Sequence, residues 1–371
     1  MNHADNIYNL ALKGVRELVP YVAGKPIEEL ERELGITDII KLASNENPLR
    51  PGQKALAAIQ AALPTLSLYP DGNGFNLKAA LAKKYNLNAE QITLGNGSNE
   101  LLELVARAFL QPGLETMFSQ HAFAIYPIVT QAVGATAVVV PALHYGYDLE
   151  AMAARIGDKT RVIFIANPNN PTGTLLSQSA LGRFISALPK HCLCVLDEAY
   201  FEYVSDKQGI NSIDWLLTNP NLIITRTFSK AYGLAGLRVG YSLSSPEIAD
   251  ILNRVRQPFN NNTLALVAAE AALNDEDYLQ QTIAVNTQGM TDLTAGFKAL
   301  GLEWIPSAGN FVSVDLKRPG QPIYEALLRK GVIVRPVANY GMPNHLRISI
   351  GTQAENQFFL KALAETLADV Q

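Results

Sequence analysis

The chain has 371 residues, 48 % of them hydrophobic, and a formal net charge of −4. That much apolar residue can bury a large core, and the length fits two domains or one large domain with a satellite. The negative balance, without any basic run interleaved with aromatics, argues against nucleic acid as a partner, and no apolar stretch reaches the roughly 18 residues that span a bilayer.

The opening stretch Met1–Asn6 has neither a positive head nor an apolar core, so no secretory leader is expected. Up to about Asn47 the chain holds one helical piece, Ile27–Leu34, and too little apolar residue to fold alone; it is expected to pack against the C-terminal part. From about residue 90 to 245 short apolar runs alternate with helix-like segments. Strands are expected at Gln91–Leu94, Thr116–Phe118, Thr136–Val140, Arg161–Ile165, Cys192–Leu196, Leu222–Thr225 and Arg238–Ser242, with a helix over Asn99–Phe109. Most of these runs are apolar throughout rather than alternating, as expected for strands covered by helices on both faces of a mainly parallel sheet. Beyond about residue 270 a long helix (Asp275–Leu300) precedes a strand at Phe311–Asp315, a helix near Ile323–Lys330, strands at Val332–Val334 and Leu346–Gly351, and a closing helix to Ala368. The expected organisation is α/β: a large domain over residues 48–270, and a small α+β domain made of residues 1–47 and 271–371.

Two cysteines, Cys192 and Cys194, lie two apart in an apolar run. That spacing puts both side chains on one face of a strand, poorly placed for a mutual disulfide, and both read as core residues of a cytoplasmic protein rather than a redox or metal pair. The five histidines are scattered, with no HExxH motif and no Cys/His cluster, so no protein-bound metal is expected.

The most informative segment is Thr227–Gly240, which follows the apolar run Leu222–Thr225. A lysine at a strand end, Lys230, can form an imine with an aldehyde, and Thr227, Ser229 and Arg238 can hold a phosphate beside it. Together these abilities suggest pyridoxal 5′-phosphate. Asp197 closes another apolar run, at the strand end where doubly wound sheets bind ligands. A carboxylate there can pair with a protonated pyridine nitrogen; it can equally be an N-cap or turn residue. Tyr200, three residues on, offers a phenol to the ring oxygen or is a half-buried tyrosine. Asn167–Gly173, rich in proline, forms a rigid loop after a buried strand, from which Asn170 can present an amide to the same oxygen. Gly95–Glu100 links a strand to a helix whose first N–H groups favour an anion, but Glu100 stands where a G-x-G-x-x-G motif needs glycine. Phe123 can stack on a ring or fill the core. In Leu346–Ile350 the apolar residues alternate, leaving His345, Arg347 and Ser349 on the other face, which is either wet or anion-binding.

Taken in order, Asn-Pro-x-Asn-Pro-Thr-Gly, Asp-x-x-Tyr and Ser-Lys followed eight positions on by Arg resemble the fold-type I aminotransferases of the aspartate aminotransferase superfamily over nearly the whole chain. Within it the resemblance is greatest to the histidinol-phosphate aminotransferases, carried by Lys41–Pro48, Leu68–Asp71, Gly95–Glu100, Gly331–Arg335 and Leu346–Ser349. The resemblance implies Lys230 as the Schiff-base lysine, Asp197 as partner of the pyridine nitrogen, and Asn170 and Tyr200 on the ring oxygen. It implies Ser229, Arg238, Thr227 and the Gly97-Ser98-Asn99 backbone on the cofactor phosphate, with Phe123 against the ring. Tyr69 would reach the cofactor phosphate of a second subunit, which implies a homodimer with shared sites. Arg347 would hold a substrate carboxylate, Arg335 a substrate phosphate, and Tyr21 would line the same pocket. The implied reaction is transamination between L-histidinol phosphate and 2-oxoglutarate. An aromatic amino-acid aminotransferase or a related decarboxylase on this fold is the alternative; a nicotinamide oxidoreductase or a binding protein accounts for fewer of the motifs. Two departures stand out: His121-Ala122, where relatives often have proline, and Phe123, where many have tyrosine.

Overall fold

Seven apolar runs between residues 92 and 243 lie side by side in one sheet, in the order Ile92–Gly95, Gly240–Leu243, Leu222–Thr227, Leu193–Asp197, Thr160–Ala166, Glu115–Ser119, Thr136–Val140. The computed structural model describes residues 7–21, 24–204 and 211–369, so the expectation for Met1–Asn6 falls outside the described residues. Neighbouring strands run parallel except Gly240–Leu243, which is antiparallel to both of its neighbours. No helix among the described residues is long and apolar enough to cross a membrane.

The uninterrupted apolar runs follow from cover on both faces. In Thr160–Ala166, Ile163 and Ile165 pack toward helices Phe75–Tyr85, Gln178–Ser186 and Thr263–Leu273. Val162, Phe164 and Ala166 pack toward helices Ser98–Phe109, Ile125–Ala132 and Pro246–Val255 on the opposite face. Thr136–Val140 departs from this reading. It is an edge strand in which only Val140 is buried and Val139 is 47 % exposed, so a run of β-branched residues here marks strand propensity rather than burial.

The helix Glu276–Ala299 leads to a second, antiparallel sheet in the order Arg335–Pro336, His345–Ser349, Phe311–Asp315, Glu303–Ile305. This sheet has its own core, with Val312, Val314 and Leu346 against Phe297, Ile323 and Phe359. Two of its strands escape the sequence pattern because each is only two or three residues long. Pro336 also reads as a breaker, but it sits on an edge strand, where a missing N–H is tolerated. The N-terminal segment does attach to the C-terminal part: Ile40–Lys41 pairs in parallel with Val332–Ile333, and Leu30 and Ala43 pack on Ile333. The carboxyl ends of the central strands thus open toward the N-terminal segment and the antiparallel sheet, and a cavity lies between them.

Candidate active site

Asp197 is the last residue of its strand and is buried at the cavity rather than exposed in a surface turn. Parallel pairing brings Thr225 of the next strand beside it, and the Thr225 hydroxyl donates to Oδ1 at 3.3 Å. From the other side the Tyr126 hydroxyl donates to Oδ2 at 2.9 Å, its ring fixed by stacking on Phe164 at 4.7 Å. Burial raises the carboxyl to about 6, against the lowering effect of these two donors and of the Ala199 backbone; no cation is among the groups that dominate its ionisation. A buried carboxylate held by hydroxyls, with no ion pair to it among the described residues, suits a ligand that brings its own cation, such as a protonated ring nitrogen.

Lys230 follows the strand Leu222–Thr227 by three residues and reaches the same cavity, where Nζ donates to the Ser44 carbonyl at 3.2 Å. Burial pulls its pKa down to about 8, with Arg347 and Arg238 also lowering it, against Glu46 and Asp197. A share of this amine is therefore neutral near pH 7, able to act as nucleophile or base.

The anion end of the cavity is built from two turns. Gly97, at φ +79°, caps helix Ser98–Phe109, and a side chain there would run into the Arg238 guanidinium. The free N–H groups of that helix start, with Ser98 and Asn99 lining the cavity, meet Ser229 and Arg238 from the far side. Arg238 Nη1 donates to Ser229 Oγ at 3.2 Å, and Thr227 Oγ1 accepts from the Ser229 backbone at 3.1 Å. Backbone N–H groups, hydroxyls and a guanidinium make a cradle for a phosphate. These residues fit pyridoxal phosphate, which carries a basic ring nitrogen, an aldehyde and a phosphate arm on one ring.

Across the ring space, Tyr200 accepts from Asn45 Nδ2 at 2.9 Å, and burial raises its phenol to about 12, so the hydroxyl keeps its proton to donate. Asn170 Oδ1 accepts from Arg347 Nη1 at 2.6 Å, which leaves the Asn170 amide N–H groups for the cavity. Arg347 also donates to the Ala43 carbonyl at 2.6 Å. His345, Arg347 and Ser349 are all buried, so the wet-face alternative for this strand does not hold. Arg335 and Arg347 are direct cross-strand partners, so their side chains share one face, and burial together with Arg335 lowers the Arg347 pKa. Two guanidiniums held side by side suit an anionic ligand. Tyr21 completes this wall, with Arg335 5.8 Å from its ring centroid. The sheet carrying the arginines is docked tightly on the Asn-Pro loop: Ser313 Oγ donates to the Pro171 carbonyl at 2.7 Å, and Gly173, at φ +81°, lies where a side chain would strike Ser307.

The sequence matches the aminotransferase class I and II family over residues 37–363. The chain belongs to the class I and II aminotransferases. It is 62 % identical over 97 % of its length to the histidinol-phosphate aminotransferase 2 of Pseudomonas fluorescens Pf-5, covering 98 % of that protein. It is 60 % identical to the histidinol-phosphate aminotransferase 2 of Pseudomonas aeruginosa, with 97 % of this chain and 98 % of that one covered. Among solved structures it is similar to the histidinol-phosphate aminotransferase of Sinorhizobium meliloti in complex with pyridoxal 5′-phosphate, at 31 % identity and a TM-score of 0.91, covering 97 % and 98 % of the two chains. The expected fold, an aminotransferase α/β sheet with a smaller attached sheet, is the fold observed.

In this aminotransferase one cavity gathers Lys230, Asp197, Tyr200, Asn170, Ser229, Arg238, Thr227, Ser98, Asn99, Phe123, Arg335, Arg347 and Tyr21. Gly97 sits just behind the cradle, shaping it through its backbone. Tyr69 is not at the cavity of its own chain; it is 83 % exposed and stacks on Phe259 at 4.7 Å. Tyr126, Thr225 and Asn45 escaped the sequence reading. The signal for Thr225 was its place on the strand beside Asp197, and that for Tyr126 its position three residues after Phe123. Asn45 lies within the Lys41–Pro48 segment that carries the resemblance, but nothing local marked its contact with Tyr200, onto which a φ of +53° turns its amide.

Proposed function

We propose that this aminotransferase moves an amino group between L-histidinol phosphate and 2-oxoglutarate, giving imidazole acetol phosphate and glutamate, with pyridoxal phosphate held on Lys230. The observation that carries the reading is the convergence of a lowered-pKa lysine, a buried carboxylate outside any ion pair and a phosphate cradle on one cavity, faced by paired arginines. The names of relatives at 60 % identity and above support the substrate. When bound, pyridoxal phosphate supplies an aldehyde for attachment to amines and a ring that delocalises the charge left when an α-proton is removed. Lys230, once free, takes the α-proton as a neutral amine and returns it. Asp197, oriented by Tyr126 and Thr225, keeps the ring nitrogen protonated, and Tyr200 and Asn170 donate to the ring oxygen. Phe123 packs on the ring face. Arg238, Ser229, Thr227 and the Gly97-Ser98-Asn99 backbone hold the cofactor phosphate. Arg347 takes the carboxylate of glutamate, and Arg335, beside Tyr21, takes the distal anion, whether phosphate or carboxylate.

We further propose a cytoplasmic homodimer with shared sites, in which Tyr69 of each copy reaches the cradle of the other. The exposed, paired Tyr69 and Phe259 and the nearby exposed Leu66, Leu68 and Phe75 support an apolar face of this kind. The two buried free cysteines agree with a reducing compartment. We propose residues 48–270 as the large domain, and residues 1–47 with 271–371 as the small one; the two separate hydrophobic cores support this division. The test is a donor panel: with 2-oxoglutarate as acceptor, histidinol phosphate should give the highest kcat/KM. A preference for phenylalanine or tyrosine, or release of carbon dioxide in place of glutamate formation, would replace this reading by the aromatic aminotransferase or the decarboxylase.

A further inference from the structure

The loop over residues 337–344 joins the two strands that carry Arg335 and Arg347. Its first strand, Arg335–Pro336, is only two residues long and is held by two cross-strand pairs, Arg335 with Arg347 and Pro336 with Leu346. Little in that strand alone fixes the reach of Arg335. A 3-10 turn at Ala338–Tyr340 follows, ended by Gly341 in the left-handed region at φ +74°. The Tyr340 carbonyl at the close of this turn has no partner within it, and Tyr340 is buried, so the carbonyl needs a donor from elsewhere.

His121 provides it. Its Nδ1 lies 2.6 Å from the Tyr340 carbonyl oxygen. A carbonyl only accepts, so Nδ1 carries the proton whatever the state of Nε2. His121 itself is fixed: its carbonyl accepts from Asn169 Nδ2 at 3.0 Å, and its ring lies 5.8 Å from that of Tyr145. Three residues on, Ala124 packs against the apolar cluster that Tyr340 forms with Val337 and Met342. One short segment after the strand Glu115–Ser119 therefore holds the Tyr340 carbonyl by a hydrogen bond and packs on the apolar side of the loop. Tyr340 in turn lies close enough to Arg347, Tyr21 and Arg335 to feel the charge of each. His121 also stands at a position where the sequence departs from its resemblance to relatives.

We propose that His121 is a positioning residue for substrate selection: its Nδ1–H, held on the Tyr340 carbonyl, fixes the loop that sets Arg335 against the distal anion of the substrate. The inference rests on histidinol phosphate being the substrate. His121 touches neither the cofactor space nor Lys230, and it acts through the loop.

The test compares two variants of the holoenzyme with L-histidinol phosphate and with L-histidinol, which lacks the anion. His121→Phe keeps a ring against Tyr145 and removes the donor. His121→Asn keeps a donor close to the position of Nδ1 and removes the ring. His121→Phe should lower the preference for histidinol phosphate over histidinol about tenfold, the scale of one net hydrogen bond, and most of the loss should lie in KM rather than kcat. His121→Asn should restore most of the preference. An equal fall with both substrates, an unchanged preference in His121→Phe, or the same loss in His121→Asn would overturn the proposal. A wild-type enzyme without any preference for the phosphorylated substrate would overturn the substrate reading itself, and the inference with it.

Discussion

At the sheet end of the cavity, Asp197, Thr225, Thr227 and Lys230 come from two adjacent strands and the loop after one of them, locked by a continuous parallel register. At the opposite end, Asn45, Arg335 and Arg347 come from segments far apart in the chain, joined to the loops at the strand ends by side-chain bonds such as Asn45 to Tyr200 and Arg347 to Asn170. The first end belongs to a core that spans both faces of the sheet; the second meets it across a seam. On the reading proposed above, the lysine that bonds to carbon sits against the core of the large sheet, while the groups that choose the substrate sit where the two hydrophobic cores meet. Damage at the first end should remove the reaction, and damage at the second should redirect it.

The largest effect is expected from Lys230→Ala. Turnover should fall by at least about 10²–10⁴-fold, the range for a general acid–base group, and more because the covalent attachment is lost too. Borohydride should fix the cofactor to the wild-type chain and not to the variant, read by mass. A Lys230→Ala protein with ordinary transamination would remove the sheet end from the chemistry altogether.

Arg335→Ala probes the other end. It should weaken the phosphorylated substrate by about 1.5–3 kcal/mol, the scale of a hydrogen bond to a charged group, while borohydride still fixes the cofactor to Lys230. Steady-state rates with histidinol phosphate and histidinol would read this. Equal losses with both substrates would place Arg335 among the supports of the sheet and not on the substrate anion.

The same contrast explains what the sequence discloses. Lys230, Asp197 and Asn170 each follow an unbroken apolar run, so their place at a strand end is written locally, and each stands in a contiguous motif. Arg347 was half legible: alternation gave its face, but whether that face was wet depended on the Ala43 and Asn170 partners, which come from remote segments. Asn45 and Tyr340 were illegible, because each owes its role to a contact across more than 150 residues, Asn45 with Tyr200 and Tyr340 with His121. Thr136–Val140 is the strand expected, but its burial was misjudged, because strand propensity and burial coincide in the middle of a sheet and separate at its edge.

The smallest effect is thermodynamic and belongs to the sheet end alone. Asp197 has a folded pKa of about 6 against 3.8 for the free group, so the folded chain binds that proton more tightly. Its contribution to stability is full below about 3.8 and is lost as pH rises through about 6. Lys230 behaves in the opposite sense: its folded pKa of about 8 lies below 10.5, so its contribution is present above 10.5 and lost as pH falls through about 8. Between pH 6 and 8 the cofactor-free chain therefore carries both penalties, and a bound cation at Asp197 relieves one of them. Asp197→Asn removes the ionisable group while keeping an acceptor for Tyr126 or Thr225. The cofactor-free variant should be more stable than wild type at pH 7, by about 1–3 kcal/mol at 1.36 kcal/mol per pKa unit, and the advantage should vanish near pH 4. Urea melts of both cofactor-free proteins at the two pH values would read it. An advantage that persists unchanged at pH 4 would mean that the stabilisation comes from packing, and that Asp197 is not held at a cost for the sake of a cationic ligand.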